Sequence, residues 1–588
     1  MPSKRKTVLS RLTAHSKSLS SASDSMQMVT VILRPPESLR KKLDKLGKGP
    51  LAPLSYAEYL KAYGTPDKEL QQVEAWASSA QLQFVDADWQ ERAKLSGAVR
   101  LMGAKQQLSA AFGVESHEST GALQLRTPKA LGELVLWVFG VNHPETEPPP
   151  EPLEATSPAR DLRRRATFRR LFKREVTKEK TRSSRKALSS QVQGWTPLQV
   201  AEAYNYPANQ GAGQCLGLIE LAGTYSPDDV QTYLSGLGIS SAPTIVDVNL
   251  RSKPSSAPMA DMEVTMDLEL AAAVCPEAKI VVYNACSKDY SVQDFFDVFN
   301  TAVFDTKNCP SVLSASWGFP EFVQGIGMSK PSEYTITQEE EAAFNLLFAK
   351  AALLGITICV SSGDTGSLTP FPCDNSPWLA TLMPITNFPA ASPYVLSCGG
   401  TQQIPGQDSL GEEMVWNELD QVLIIGSGPY AFPAVGGSSG GGISFLNGPP
   451  AYQKDCPVPR AVVAAWVNGL YTLTQQNPGR GVPDVAALAN PSPGYSIFLQ
   501  GQYATGGGTS AAAPMWAALI TRINAALGRR VGFLNPSLYQ LQHQQPKLCK
   551  TITQGGSGAY NASSAIWNPC AGLGTPNGKE IVKALKNS

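Results

Sequence analysis

The sequence predicts an α/β protein, a mainly parallel sheet covered by helices on both faces, preceded by a small α+β unit. Three observations lead there. At 588 residues and 62.8 kDa the chain exceeds what one hydrophobic core normally supports. From Trp195 onward strand-like apolar runs alternate with helix-like ones, the rhythm of repeated βα units. Just before that point a Pro/Glu stretch and an Arg/Lys-rich stretch break the pattern and mark a boundary.

In chain order, residues 1–25 read as a disordered basic tail. Their Ser/Lys/Arg bias is also that of a transit peptide, and they lack the continuous apolar core of a secretory signal. Residues 26–143 read as the compact α+β unit, with strands at Val29–Leu33 and Leu82–Val85 and helices at Tyr56–Tyr63, Lys68–Ala80 and Ala104–Phe112. Residues 144–193 join a proline- and glutamate-rich stretch to the basic clusters Arg163–Arg165 and Arg169–Arg170. They read as a processing linker open to proteases. A basic run can bind nucleic acid, but no recognisable binding module accompanies this one.

Residues 194–588 carry the βα pattern. Strands are expected at Cys215–Leu221, Ile245–Leu250, Ile280–Tyr283, Val312–Ser316, Ile356–Ser361 and Tyr394–Ser397. Helices are expected at Pro227–Leu237, Leu268–Val274, Val292–Val303 and Glu339–Leu354. In such sheets functional residues gather at the carboxyl ends of the strands.

Composition narrows the function classes. Net charge is +1, so no overall field selects nucleic acid or membrane, and no apolar run is long enough to span a bilayer. All ten cysteines lie at or after Cys215, without CxxC spacing or a Cys/His cluster, which argues against a zinc site. Cys215 and Cys359 sit in apolar runs and read as core thiols, whereas Cys309, Cys373, Cys456, Cys549 and Cys570 lie in loop-like surroundings and could pair.

The clearest chemical motif is Gly507-Gly508-Thr509-Ser510-Ala511-Ala512-Ala513-Pro514. Small residues allow a tight turn, and the alanines suit a closely packed helix, so Ser510 is expected near the positive end of a helix. A serine nucleophile needs a base, usually histidine. The chain has four histidines: His15, His117 and His143 lie before the boundary, and only His543 follows Ser510. A carboxylate is therefore the expected base. Glu263 and Asp267 are four apart at the start of a helix, on one face, with Cβ atoms roughly 6 Å apart. Carboxyls that close share a proton and separate their pKa values. The alternative is an acidic first turn favoured by the helix dipole. In Ser361-Ser-Gly363-Asp364-Thr-Gly366, Asp364 ends a buried strand, either capping a turn or, if neutral, donating a hydrogen bond to a developing oxyanion.

Ser362-Gly-Asp-Thr-Gly, the Gly-Gly-Thr-Ser-Ala-Ala-Ala-Pro motif and the Glu-x-x-x-Asp helix resemble those of the sedolisin family of serine-carboxyl peptidases, in its kumamolisin-like branch, and they occur in that family's order. Further matching stretches are Gly217–Leu221, Ser314–Gly318, Phe388–Tyr394, Gly481–Ala486 and Gly572–Pro576. The resemblance runs from Trp195 almost to the end.

It implies a subtilisin-like fold, a doubly wound and mainly parallel sheet preceded by a small α+β, ferredoxin-like activation prodomain over residues 26–143. It further implies an acid endopeptidase made as a proenzyme, with Ser510 as nucleophile, Glu263 as base, Asp267 as its partner and Asp364 at the oxyanion. Glu220 and Trp317 match residues that extend the carboxylate chain. Their plainer readings are a strand-end surface charge and core packing. Gly440-Gly441-Gly442 resembles the substrate-binding loop, against the alternative of a flexible linker.

Two departures stand out. The family binds calcium near its C-terminus through two aspartates and backbone carbonyls, but here the matching positions are Thr551 and Asn568. Uncharged ligands hold a hard dication weakly, so this site is expected to be degraded. Cys549 and Cys570 flank the two stretches, and a disulfide between them is a candidate substitute clamp. Asn387 stands where kumamolisin-like enzymes carry an aspartate lining the pocket for the residue before the cleaved bond. A neutral amide there should weaken preference for Arg or Lys and favour neutral or aromatic residues. The implied partners are peptide or protein substrates and the chain's own prodomain as intramolecular inhibitor, with no nucleic acid, no membrane and a monomeric state. The implied setting is extracellular or an acidic compartment. A tripeptidyl exopeptidase and a non-catalytic peptide-binding homologue remain the alternatives.

Overall fold

The computed structural model describes residues 26–47, 52–116, 123–125, 128–140 and 194–587, apart from internal stretches at 252–253, 255, 288–289, 322–334, 368, 374–375, 384, 406–409, 419–422, 426–431, 435–436, 460, 467–468 and 475–477. The expected tail (1–25) and processing linker (144–193) lie outside the described residues. The described residues fall into two compact units, the first within 26–42 and 56–140, the second within 43–55 and from 194 onward.

In the first unit, β1 (Met26–Leu33), β2 (Gln83–Phe84), β3 (Ala98–Ala104) and β4 (Val135–Phe139) form an antiparallel sheet in the order β2-β3-β1-β4. Helices α1 (Tyr56–Tyr63), α2 (Asp67–Ser79), α3 (Trp89–Ser96) and α4 (Lys105–Phe112) supply the other layer. Alternation along β1 buries Val29, Val31 and Leu33 against Leu70, Val73 and Trp76 of α2. α3 and β3 were not foreseen: Gln-Glu-Arg in the one and Arg100 and Gly103 in the other blur both periods.

The second unit is built on β5 (Cys215–Glu220), β6 (Thr244–Asn249), β7 (Lys279–Asn284), β8 (Val312–Ala315), β9 (Thr357–Ser361), β10 (Leu396–Gln403), β11 (Glu413–Val415) and β12 (Val485–Leu488). The order is β11-β10-β9-β8-β5-β7-β6, with β12 also pairing β10. Every pairing is parallel except that of edge strand β11. The inner strands β5, β7, β8 and β9 are almost wholly buried because helices α5 (Pro227–Gly236), α6 (Pro258–Val274), α7 (Val292–Val303), α8 (Gln338–Leu353) and α9 (Thr509–Leu527) cover the sheet, whereas edge strand β6 is half-exposed.

Helix α9 is apolar on every side and is buried from Ala511 through Leu519, as a helix within a core must be. It packs against α6, β8, β9 and β10. Ala271–Ala273 on α6 and Ala511–Ala513 on α9 remove the bulk that would hold these two helices apart. α6 begins ten residues before the expected Leu268, with Pro258 in the first turn. The Asp261 carboxylate caps this start, accepting from the N–H groups of Thr224 (2.7 Å) and Ala257 (3.2 Å). Among the described residues no helix is long and apolar enough to cross a membrane.

Candidate active site

The carboxyl ends of β5, β8 and β9 and the amino ends of α6 and α9 converge on one cleft. Ser510 is the second residue of α9, reached through Gly508, whose φ of +93° only glycine adopts readily. A Cβ on Gly508 would also come within 2.4 Å of Asp364 Oδ2. The Ser510 side chain is close enough to the Glu263 carboxyl to favour its ionised form. His543 sits exposed in the last turn of helix Asn535–Gln544 and is not a described partner of Ser510. The other three histidines lie outside the described residues.

Because Asp261 fulfils the cap of α6, the acidic-first-turn reading does not account for Glu263 or Asp267. Both lie further along α6, and Asp267 is fully buried. Glu220, at the end of β5, is also fully buried, and its Oε2 accepts from Trp317 Nε1 at 2.9 Å. A surface charge it is not. One oxygen on each of Glu220, Glu263 and Asp267 is buried without a hydrogen-bond donor. Three carboxylates cannot be ionised together there, and a shared proton is what such orphan oxygens require.

Burial raises all three carboxyls above their ordinary range; Glu263 adds to the rise of Glu220, Asp364 to that of Glu263, and Glu220 and Glu263 to that of Asp267, while Trp317 opposes it at Glu220, Ser510 and Ser316 at Glu263, and Ser316 at Asp267. Asp364 is exposed on the cleft side, yet the protein packed around it raises its carboxyl as well. Its Oδ1 accepts from both the N–H and the hydroxyl of Thr509, each at 2.7 Å, and these bonds oppose the rise. The Thr509 hydroxyl in turn accepts from Gly363 N at 3.0 Å, fixing the Asp364 turn to the start of α9.

The glycine run lies alongside Asp364. Ser438 N donates to Asp364 O at 3.0 Å and Gly440 N donates to Gly363 O at 2.7 Å. Gly440, Gly441 and Gly442 are buried, and a Cβ on Gly440 or Gly441 would meet backbone oxygen at 2.2 Å. This is a packed wall rather than a free linker. Half-buried Asn387 completes it, its Nδ2 donating to Ser362 O at 3.3 Å and closing over Gly363.

Two residues at the site escaped the sequence reading. Ser316 Oγ donates to Asp267 Oδ2 at 2.7 Å or to the Ser510 carbonyl at 3.1 Å. That carbonyl is open because Pro514, four residues on, has no N–H to return to it. Thr509, read only as part of the motif, is the sole described side chain bonded to the Asp364 carboxylate. The available signal was Pro514 inside an alanine-rich helix start.

At the expected calcium position, Asn568 Oδ1 accepts from the N–H groups of Cys570 and Ala571, each at 3.1 Å, while its Nδ2 donates to Ile552 O at 3.1 Å. Asn568 Oδ1 and Ile552 O are thus taken up by N–H donors, and no carboxylate is among their described partners. This donor set does not fit a hard dication. The disulfide clamp is corrected too: Cys549 and Cys570 are both free thiols, and Cys570 Sγ accepts from Ser557 Oγ at 3.3 Å.

Comparison with known proteins fits this geometry. A sequence model of the Subtilase family matches residues 256–542. The chain is 35% identical over 512 residues to kumamolisin from Bacillus sp. (strain MN-32), covering 83% of this chain and 79% of that protein. It is 28% identical to physarolisin from Physarum polycephalum, over 67% of this chain and 69% of that one, and 28% identical to tripeptidyl-peptidase sed1 from Aspergillus fumigatus, over 65% and 63%. The solved structure of Pseudomonas sedolisin, a serine-carboxyl proteinase complexed with two molecules of pseudo-iodotyrostatin, has the same fold, with a TM-score of 0.53 at 23% identity over 68% of this chain and 99% of that one.

Proposed function

The chain belongs to the sedolisin family of serine-carboxyl peptidases, and from that premise we propose that it is an acid-active serine endopeptidase made as a proenzyme. The observation that carries this reading is the Ser510 side chain set beside the half-buried Glu263 carboxyl, where serine peptidases usually have imidazole.

In the proposed cycle Ser510 Oγ attacks the peptide carbonyl as Glu263 takes its proton. Asp267 and Glu220 hold the remaining proton of the carboxyl chain and keep Glu263 available. A neutral Asp364, with a backbone N–H, donates to the tetrahedral oxyanion. Glu263 then passes its proton to the leaving amine, the C–N bond breaks, and water hydrolyses the acyl-enzyme. Acid favours the cycle because the Asp364 donor must be protonated and the carboxyl chain must retain at least one proton. Asn387 gives the pocket beside Gly363 a neutral wall, suited to neutral or aromatic side chains. The calcium site is read as lost, its cross-link replaced by Asn568.

Residues 26–143 are proposed as the intramolecular inhibitor, released when acid allows cleavage near Ser189–Gly194. The enzyme is expected to act as a monomer on peptides and proteins, outside the cell or in an acidic compartment. A second reading has one support: several relatives are named tripeptidyl-peptidases. Peptides blocked at the amino end decide between them. Internal cuts at about pH 3–5 support the endopeptidase; release of tripeptides from free amino ends alone supports the exopeptidase. A Ser510→Ala chain that still sheds residues 26–143 in acid, when pure, rules out self-processing.

A further inference from the structure

A second pair of buried carboxyls lies behind the glycine wall, outside the cycle above. Glu321 follows the strand Phe319–Pro320, which pairs antiparallel with Asn387–Phe388. Its N–H donates to Thr386 O at 3.1 Å, and its side chain is fully buried. Glu321 Oε2 accepts from Thr386 Oγ1 at 2.8 Å and Phe445 N at 3.0 Å. Its Oε1 accepts from the Ser444 hydroxyl and, at 3.4 Å, from Asn447 Nδ2. Burial raises the Glu321 carboxyl, but donors fill both of its oxygens and oppose the rise, so of the two it is the better placed to carry the charge. They come from Thr386, next to Asn387, and from the segment just after Gly442. One carboxylate therefore ties together two parts of the cleft wall.

Facing it on α8 is Glu341, 2% exposed. The same Asn447 amide donates to Glu341 Oε2 at 2.6 Å, and Asn447 Oδ1 is already committed to Asn345 Nδ2 at 2.8 Å. Glu341 Oε1 is buried with no partner. The charged groups that face this carboxyl are Glu321 and Glu340. Glu340 is occupied at the start of α8, its Oε2 accepting from the N–H and hydroxyl of Thr337, each at 2.9 Å. No basic side chain is among the described partners of the pair. Two uncompensated charges so buried are costly, and the pair is expected to keep one proton, on Glu341. Burial first, then Glu321, raises the Glu341 carboxyl well above its ordinary range.

We propose that Glu321 is a positioning residue for the peptide-binding wall and that Glu341, by holding a proton against it, makes that wall responsive to pH. With Glu341 neutral, Asn447 and Ser444 stay bonded to Glu321. Once Glu341 ionises, two anions compete for one amide and the segment Ser438–Asn447 loosens. The inference deepens the peptidase reading and rests on Gly440–Gly442 being the substrate wall, but its test does not require turnover.

Hydrogen–deuterium exchange of residues 438–447, corrected for intrinsic rates, is followed in the full chain and in Glu341→Gln. Between about pH 4 and about pH 8 the parent loses roughly tenfold or more in protection, whereas Glu341→Gln changes less than about twofold. Equal losses in the two proteins overturn the proposal. A labelled casein peptide, titrated into Ser510→Ala, gives a second readout: its Kd weakens with rising pH in that protein and weakens less once Glu341→Gln is added. A pH-dependence that the second substitution leaves unchanged also overturns the proposal. Glu321→Gln is expected to weaken binding at acid pH. If that variant does not fold, Glu341→Gln still decides. If the peptide binds at no pH, the peptidase reading falls while the exchange result still judges the proton lock.

Discussion

The Ser316 hydroxyl lies 3.1 Å from the backbone carbonyl of Ser510, the carbonyl that Pro514 leaves without a helical donor. The same hydroxyl lies 2.7 Å from Asp267 Oδ2. A hydroxyl has one hydrogen. When Asp267 is protonated it donates to Ser316, and Ser316 is then free to donate to Ser510. The protonation state of the carboxyl chain is thereby linked to the seating of the nucleophile.

Ser316→Ala should lower kcat with little change in KM. A hydrogen bond between neutral groups contributes about 0.5–1.5 kcal/mol, which corresponds to roughly 2- to 10-fold in rate. Steady-state kinetics on a single peptide checks it; a change confined to KM would remove Ser316 from the nucleophile's support.

Stability should fall as pH rises. Glu220, Glu263 and Asp267 titrate as one coupled group, raised mainly by burial, so that with Glu263 ionised as the base the carboxyl chain still keeps protons well above the ~4 at which unfolded carboxyls titrate. A raised folded value means that the native state binds more protons, so this stabilisation is full below about pH 4 and is lost as pH climbs toward 8. Melting temperatures of Ser510→Ala, which cannot digest itself, should decline across that window, and adding Glu220→Gln should flatten the decline.

Asn387→Asp places a charge in the pocket wall beside Gly363. Cleavage after Arg or Lys should rise relative to Phe in a peptide library, by roughly the tenfold that 1.4 kcal/mol represents. An unchanged ratio would take Asn387 out of the specificity pocket.

A chelator should leave the melting temperature unaltered, because Asn568 makes the cross-link that a cation would otherwise make. Asn568→Ala removes three hydrogen bonds at a buried position and should destabilise by roughly 1–3 kcal/mol or more, measured by denaturant unfolding.

The motif residues of the site were legible because their chemistry is local: a glycine turn before Ser510, an i, i+4 pair on one helix, an aspartate after a buried strand. Ser316 was not, since its importance arises from a carbonyl freed by Pro514 on another helix. Glu321 and Glu341 sit in stretches without a motif, and only folding brings them to one amide. Strand β12 was missed because Val-Ala-Ala-Leu is short and has a single β-branched residue, and its partner β10 is distant in sequence. The Cys549–Cys570 clamp was inferred from flanking positions alone, which say nothing of where each thiol points.

The central claim is that Glu263 deprotonates Ser510. The most direct measurement is kcat at about pH 4 for Glu263→Gln beside His543→Ala, both with the prodomain removed by the same means. General-base removal predicts a loss of roughly 100- to 10,000-fold for Glu263→Gln and none for His543→Ala. Near-parent activity in Glu263→Gln, or its loss in a folded His543→Ala protein, would contradict the account.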